Sequence, residues 1–453
     1  MARDDDGVRL AGRFASATTS DGVDIVLRMN GVEITRRPPF GQHPGVGERG
    51  SDTQRRILTA ALTVFGEVGF NNARVEMITR AADCSRPSFY QYFSSKDDLF
   101  SHLAGRLGIE MIQLIDQLEP VAPDAAGLAV LADWIEDFLT LCGQYAPVFN
   151  AFHNASRHQE QLAQGSRSMG DRLDAALLNE LLRARDAQLD SRVAGAIVSG
   201  VVGILSRCGT MSDRLLGPRS RRRLVQGLSL IIHRVFYGPL PGINILEPVR
   251  VRLPRPNVGI ASIDRPVPDP GTRGARTRQR LLEAGAKVLP ERGFYDSRVD
   301  DIVQSANLSH GSFYRHFESK DDLFRVLAGE ASTHMIDQLD GLPIGGTSES
   351  VRAWSKSWME TYRDNGGVIS AWQEIQTADR EMQQMSDQVA SAVLHRLVAM
   401  LRKRTFGDPM VDGLALLALL ERMPYSVYTI EHLAETDAIE AMLMIIQRGF
   451  LGR

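Results

Sequence analysis

Cysteine is scarce in this sequence, and so is any imbalance of charge. Cys84, Cys142 and Cys208 are the three cysteines among 453 residues. They show neither zinc-ligand nor redox-pair spacing, which excludes a disulfide scaffold and a cysteine-held metal and points to a reducing compartment. Lys and Arg number 52 against 55 Asp and Glu, a formal net charge of -3. Binding to nucleic acid therefore requires local basic patches, not a global excess. Long apolar runs are missing too. Ala194–Leu205 ("AGAIVSGVVGIL") and Gly413–Leu420 ("GLALLALL") are too short to span a bilayer and read as buried helices, so no membrane partner is expected. No secretory apolar segment follows the acidic start "MARDDDGV", and the expected location is cytoplasmic. No cofactor and no metal is expected.

What the sequence does hold is a repeat. "TQRRILTAALTVFGEVGFNNARVEMITRAADCSRPSFYQYFSSKDDLF" from Thr53 returns 224 residues later as "TRQRLLEAGAKVLPERGFYDSRVDDIVQSANLSHGSFYRHFESKDDLF" from Thr277. A period this long, followed by a fainter echo (Trp134 pairs with Trp358), means that a whole half is duplicated. Each copy reads as helices. Ile57, Leu58, Ala61, Val64, Phe65 and Val68 form one apolar stripe at helical spacing, and Gly69 suits the positive backbone angle of a helix end. The expected fold is all-α, with two tandem modules that each join a helix-turn-helix head to a helical core. The boundaries are a largely disordered tail over 1–50, a first head over 51–102 and a first core over 103–238. A Pro/Gly/Arg-rich linker over 239–272, a second head over 273–326 and a second core over 327–453 follow. Within the tail, "VDIVLRMNGVEI" also suits a hairpin.

Helix, short turn, helix is a DNA-reading unit whose second helix lies in the major groove. Here that helix is "RPSFYQYF" or "HGSFYRHF". Phe89 and Phe93 are spaced to face the core, leaving Ser88, Tyr90, Gln91 and Tyr92 outward, and Ser312, Tyr314, Arg315 and His316 in the second copy. Lys96 and Lys320 sit where an ammonium and a helix N-terminus can share a phosphate. Arg74 and Arg298 open the preceding helix. These residues resemble the DNA-binding domain of the TetR family of transcriptional regulators, in "RVEMITRAADCSRPSFYQYFSSKDDLF" and "RVDDIVQSANLSHGSFYRHFESKDDLF". Pro87 and Cys84 depart from the family pattern, and arginine replaces its usual threonine at 74 and 298. The two-copy layout is similar to tandem members of the family such as the mycobacterial regulators of mammalian-cell-entry genes. The resemblance implies backbone contacts by Tyr90, Tyr92, Tyr314, His316, Lys96 and Lys320. It implies base contacts at or near Arg86, Ser88, Gln91, His310, Ser312 and Arg315.

The expected partner is double-stranded operator DNA. A chain with both heads forms its dimer internally, as an intrachain pseudo-dimer, with further homodimerisation open. Arginine favours guanine and glutamine adenine, so Gln91 against Arg315 implies two unlike half-sites. The arginines ahead of the second head (Arg250 to Arg278) are either phosphate contacts or ordinary linker. "RSRRR" at 219–223 is expected to be solvated surface. Family likeness implies a small apolar or amphipathic effector, a lipid, acyl or steroid-like compound. Trp134, Phe138, Phe149, Phe152, Met169 and Leu173 are its pocket candidates in the first core, and Trp354, Trp358, Met359, Trp372, Met382 and Met385 in the second. Each also suits plain core. The Gly195, Gly200 and Gly203 stretch is expected to let helices approach closely across the pseudo-dimer face. No catalytic constellation emerges from Cys142 and His153. The alternative function is a helical interaction module with degenerate DNA heads.

Overall fold

A computed structural model describes residues 19–20, 24–29, 32–36, 48–157, 170–179, 190–216, 220–240, 269, 271–375, 380–429 and 432–453. Most of the interdomain linker thus lies outside the described residues. The chain divides into two compact units, residues 1–106 with 151–165 and residues 107–150 with 166–453. The fold is all-α, with two repeated helical modules that each open on a helix-turn-helix head, plus one small sheet.

In the first unit, β1 (Thr19–Ser20), β2 (Asp24–Met29) and β3 (Val32–Arg36) form an antiparallel sheet in that order, with Val26 opposite Thr35 and Leu27 opposite Ile34. These strands replace part of the tail expected to be disordered, because β-branched and aliphatic residues recur through both strands. Helix α1 (Glu48–Asn72) buries Ile57, Leu58, Ala61, Val64 and Phe65. It breaks at Gly69, whose φ of 75° and ψ of 157° lie in a region open essentially to glycine. Gly293 does the same in the second copy at φ 82° and ψ 163°. α2 (Val75–Ala81), α3 (Arg86–Tyr92) and the start of α4 (Lys96–Asp116) complete the first head.

The larger unit holds both cores and the second head. Its first-half helices include α5 (Ala125–Gln144), α7 (Ser191–Leu216) and α8 (Arg221–Tyr237), with α6 (Ala146–Arg157) lying between α5 and α7 in sequence. The second head is α9 (Arg273–Arg292), α10 (Val299–Ser305), α11 (His310–His316) and α12 (Lys320–Asp340). Behind it come α13 (Ser348–Ile375), α14 (Arg380–Leu401), α15 (Pro409–Tyr428), α16 (Glu435–Met444) and a closing π-helical turn, Ile445–Phe450. The second head's apolar core runs without a break from Leu281, Ile302, Phe313 and Phe317 to Val368 of α13 and Met385 of α14.

α7 and α8 pack on α15, α16 and the closing turn. Small residues set the approach. A Cβ on Gly200 would stand 2.6 Å from the Met423 Cε, and one on Gly203 2.9 Å from the Arg422 Cβ. Gly227 meets Val411 in the same way. Gly195, expected to help, faces open space. The Ser191–Met211 stretch of α7 proves long and apolar enough to cross a membrane, contrary to the reading of its apolar run as too short. Here Ala194, Ile197, Val198, Val201, Ile204 and Leu205 are buried against protein.

Polar groups fasten the same seam. Arg223 grips Asp408 through both Nε and Nη2, the latter 2.7 Å from Oδ1. Arg207 Nε reaches Glu421 Oε2 at 2.6 Å. Within the second half, beside the seam, Arg404 Nη2 lies 2.6 Å from Asp412 Oδ2, both side chains buried. His432 stands 3.3 Å from a carboxylate oxygen of Asp171 and of Asp174.

Pro424 interrupts α15 and supplies no N–H for the Leu420 carbonyl one turn earlier. The Trp358 indole takes that place, its Nε1 donating to Leu420 O at 2.9 Å. A buried carbonyl left without a donor costs about 1–3 kcal/mol. Trp358→Phe is therefore expected to destabilise the chain by about that much. The loss should shrink in a Pro424→Ala background, where the backbone amide returns. Thermal or urea melts of the four chains check this; equal losses in both backgrounds would contradict it.

Candidate nucleic-acid interface

Each head is built from the same four restraints on its reading helix. In the first copy Phe89 and Phe93 are fully buried, ring centroids 5.7 Å apart, and Phe65, Phe70 and Phe100 fill the space behind them. Phe313 and Phe317 repeat this in the second copy at 5.7 Å, backed by Phe294 and Phe324. The turn between the two short helices places Asp83 at φ 49° and Asn307 at φ 50°, residue types that tolerate the left-handed region. A buttress holds each turn: Arg56 Nη1 donates to Ala82 O at 3.0 Å, and Arg280 Nη2 donates to Ala306 O at 2.5 Å. A serine then caps each reading helix, Ser85 Oγ accepting from Ser88 N at 3.1 Å and Ser309 Oγ from Ser312 N at 3.3 Å. Arg56 and Arg280 fall at the same place of the 224-residue repeat, and a side chain unchanged between the copies is the signal the sequence offers for this buttress.

The expected reading residues divide into three groups. Tyr90 and Tyr314 are 49% and 52% exposed, and Gln91 and Arg315 are exposed beside them. Arg74 and Arg298 stand exposed at the N-caps of α2 and α10, in extended backbone. Ser88 and Ser312 are half-buried, Ser312 sharing a 3.1 Å hydroxyl contact with Ser309. A second group is exposed but paired: Arg86 Nη1 lies 3.0 Å from Glu76 Oε1, and His310 Nε2 meets Asp300 at the equivalent place. The third group turns inward. Tyr92, expected on the outer face, is only 8% exposed, because one turn of helix sets it over Phe89. Its counterpart His316 is half-buried.

Lys96 and Lys320 are engaged inside the heads. Lys96 Nζ donates to Phe70 O at 2.6 Å and lies 4.3 Å from the Phe70 ring centroid. Lys320 Nζ donates to Phe294 O and to Ser297 O, the latter at 2.7 Å, with the Phe294 ring 4.2 Å away. Burial lowers the Lys96 pKa from the ordinary lysine value, with Asp97 opposing. Both ammonium groups thereby tie the fourth helix to the carbonyls freed where the first helix breaks at its glycine.

The described pocket candidates pack as core. Trp134 Nε1 donates to Leu114 O at 2.9 Å and the ring lies 5.2 Å from Phe138. Trp354 donates to Gln338 O at 3.0 Å and stacks on Trp358 at 5.5 Å. Leu173, Met359 and Met385 are buried and Phe149 is half-buried. Phe152, Met169, Trp372 and Met382 lie outside the described side chains. In "RSRRR", Arg221 and Arg223 are not the solvated surface expected: Arg221 Nε binds Glu136 Oε1 at 2.9 Å, and Arg223 binds Asp408. The amphipathic helix α8 carries both inward. Cys142 is buried and its thiol is pushed up to about 12, chiefly by desolvation, so it is no nucleophile at neutral pH. Among the described residues no cluster of three His, Cys, Asp or Glu is placed to hold a metal.

Lys320→Ala is expected to destabilise the second head by about 1.5–3 kcal/mol, the worth of hydrogen bonds from a charged group. Hydrogen exchange of the α12 amides reports it; unchanged protection would contradict the tie.

Two segments, residues 57–103 and 281–327, match the model of bacterial regulatory proteins of the tetR family. YdgC, an uncharacterized HTH-type transcriptional regulator of Bacillus subtilis strain 168, is 41% identical over 56 residues, 12% of this chain and 29% of that protein. The HTH-type transcriptional repressor DhaR of Mycobacterium sp. strain GP1 is 53% identical over 49 residues, 10% of this chain and 25% of the repressor. The fatty acid metabolism regulator protein of B. subtilis strain 168 is 22% identical over 138 residues, 30% of this chain and 71% of the regulator. The first two matches span under a third of the relatives' length. None of the three names carries a link to mammalian-cell-entry genes, and the likeness stands at the level of the family. Two segments of this chain, less than a quarter of its length together, thus match the model of the bacterial regulatory proteins of the tetR family.

Proposed function

We propose that the chain is a sequence-specific DNA-binding transcriptional regulator that reads a non-palindromic operator with two unlike heads. The observation that carries this reading is the pair of reading helices. Each is held by a buried aromatic pair, a buttressed turn and a serine cap, and each presents an exposed tyrosine beside a different polar residue, Gln91 or Arg315. Tyr90 and Tyr314 contact the sugar-phosphate backbone, with Arg74 and Arg298 meeting phosphates by charge. Gln91 and Arg315 read base edges, flanked by Ser88 and Ser312. Arg86 and His310 join them once their carboxylate partners give way to DNA. Lys96 and Lys320 act by holding the helix end, and Tyr92 and His316 chiefly by packing.

The two cores pair with each other as an intrachain pseudo-dimer, through the α7–α8 and α15–α16 seam. Behind the heads, an apolar or amphipathic effector that prefers the non-binding arrangement releases a repressor from its operator. Support for an acyl-type effector is the name of the fatty acid regulator; the described candidates Trp134, Phe138, Leu173, Trp354, Trp358 and Met359 pack as core and add none.

Selection of bound duplexes from a random DNA pool by the full chain tests the reading. The expected result is an enriched site with two unlike half-sites and an affinity that falls steeply with salt as phosphate contacts release counterions. No enrichment, with salt-independent retention, would contradict it in favour of a helical interaction module. Arg315→Ala is expected to relax preference in one half-site only, by about 1–3 kcal/mol at its contacted base. Equal relaxation in both halves would contradict the assignment.

A further inference from the structure

Across the seam between the two cores the arginine–carboxylate pairs all run one way, while His432 of the second half stands against Asp171 and Asp174 of the first. Arg207 and Arg223 come from the first half, and their partners Glu421 and Asp408 from the second. Arg234, also from the first half, is buried against the Phe406 ring, with Asp412 of the second half as its nearest named counter-charge. Asp408 is almost wholly buried, so its charge requires Arg223.

Internal equivalence shows what a like pairing would put there. "LIIHRVFYG" (Leu230–Gly238) and "MIIQRGFLG" (Met444–Gly452) are one closing segment twice, each ending on a glycine of positive φ, 83° and 67°. Val235 and Gly449 are equivalent, and they touch: a Cβ on Gly449 would stand 2.9 Å from the Val235 Cγ2. Equivalent residues that meet mark a local two-fold axis. By the same count Arg223 corresponds to Asp437. The helices that cross the seam align as well. Asp190 accepts from Arg192 N at 2.8 Å to open α7, and Asp408 from Met410 N at 2.9 Å to open α15. Val193-Ala194-Gly195 and Val411-Asp412-Gly413 follow each of them three residues on. On that register Glu421 corresponds to Gly203, and Arg207 to Tyr425.

We propose that this face recognises only the unlike half of the chain and rejects a second copy of itself. The inference rests on the pairing of the cores proposed above. Two second halves placed across the axis would set Asp408 against Asp437, twice, where Arg223 stands in the unlike pairing. Two first halves would give Arg223 an acid in Asp190, yet leave Arg207 opposite Gly203, which carries no charge. Only the unlike pairing gives both Arg223 and Arg207 an acid and fits Val235 into the space left by Gly449. The chain is keyed against pairing like with like, which fixes one head of each kind per pair and makes the unlike readers inseparable.

Cysteine pairing in the full chain with Cys84→Ser tests the key, since the Cβ atoms of residues 235 and 449 lie within disulfide reach. Val235→Cys with Gly449→Cys is expected to form a cross-link within one chain, seen as a faster-running band without reductant. Val235→Cys alone is expected to give no covalent dimer. A covalent dimer from the single variant would mean that first halves pair with each other and would overturn the proposal. Charge reversal supplies the second measurement, at Arg207 and Glu421 because Asp408 also caps a helix. Arg207→Glu or Glu421→Arg alone is expected to lower the melting midpoint by several degrees, and the two together to recover most of it. A double variant no better than the sum of the singles would overturn the key. Neither result depends on DNA, so failure here is distinguishable from failure of the regulatory reading, which the DNA selection reports.

Discussion

A carboxylate with no access to water governs the larger unit. Asp408 sits at the start of α15, accepts the amides of Met410 and Val411, and meets the Arg223 guanidinium from the other half. Its charge is tolerable only while both sets of partners stay in place. Beside this pair α7 approaches α15 closely, where Gly200 faces Met423 and Gly203 faces Arg422. The route of α8 follows from the same geometry, its amphipathic face carrying Arg221 to Glu136 as it carries Arg223 to Asp408.

The heads obey a smaller version of the same rule: fixed polar ties hold a short helix that could not hold itself. A seven-residue helix has too few internal bonds to be stable alone. The buried phenylalanine pair sets its axis, the arginine buttress sets the turn before it and the lysine ties the helix after it. What remains free is a narrow outer strip, and its chemistry differs between copies at one decisive place, Gln91 against Arg315. Rigidity comes from the shared residues and selectivity from the unlike ones.

The repeat, the all-helical fold and the helix break at Gly69 and Gly293 were legible because they rest on local patterns: apolar period, a glycine with a required backbone angle and a long exact register. The glycine seam was half legible. Gly200 and Gly203 line it, whereas Gly195 lies on the same helix but points away. The structure adds to the sequence where a side chain has two chemically sensible destinations. A lysine at a helix start suits a phosphate or a freed carbonyl, and only the fold puts Phe70 O and Ser297 O within reach. An arginine run suits solvent or ion pairs, and Glu136 and Asp408 are far away in sequence. Tyr92 was misplaced because, three residues after Phe89, it shares that residue's buried face of the helix.

The claim that both heads of one chain act as a unit on DNA is tested most directly by binding stoichiometry. Sedimentation of the chain with a duplex holding both selected half-sites, compared with duplexes holding one, measures mass and affinity together. One chain per duplex is predicted, with the complete site bound roughly 10²–10⁴ times more tightly than either half, the gain expected when the second contact is tethered. Two chains per duplex, or equal affinity for the complete site and a single half, would contradict it.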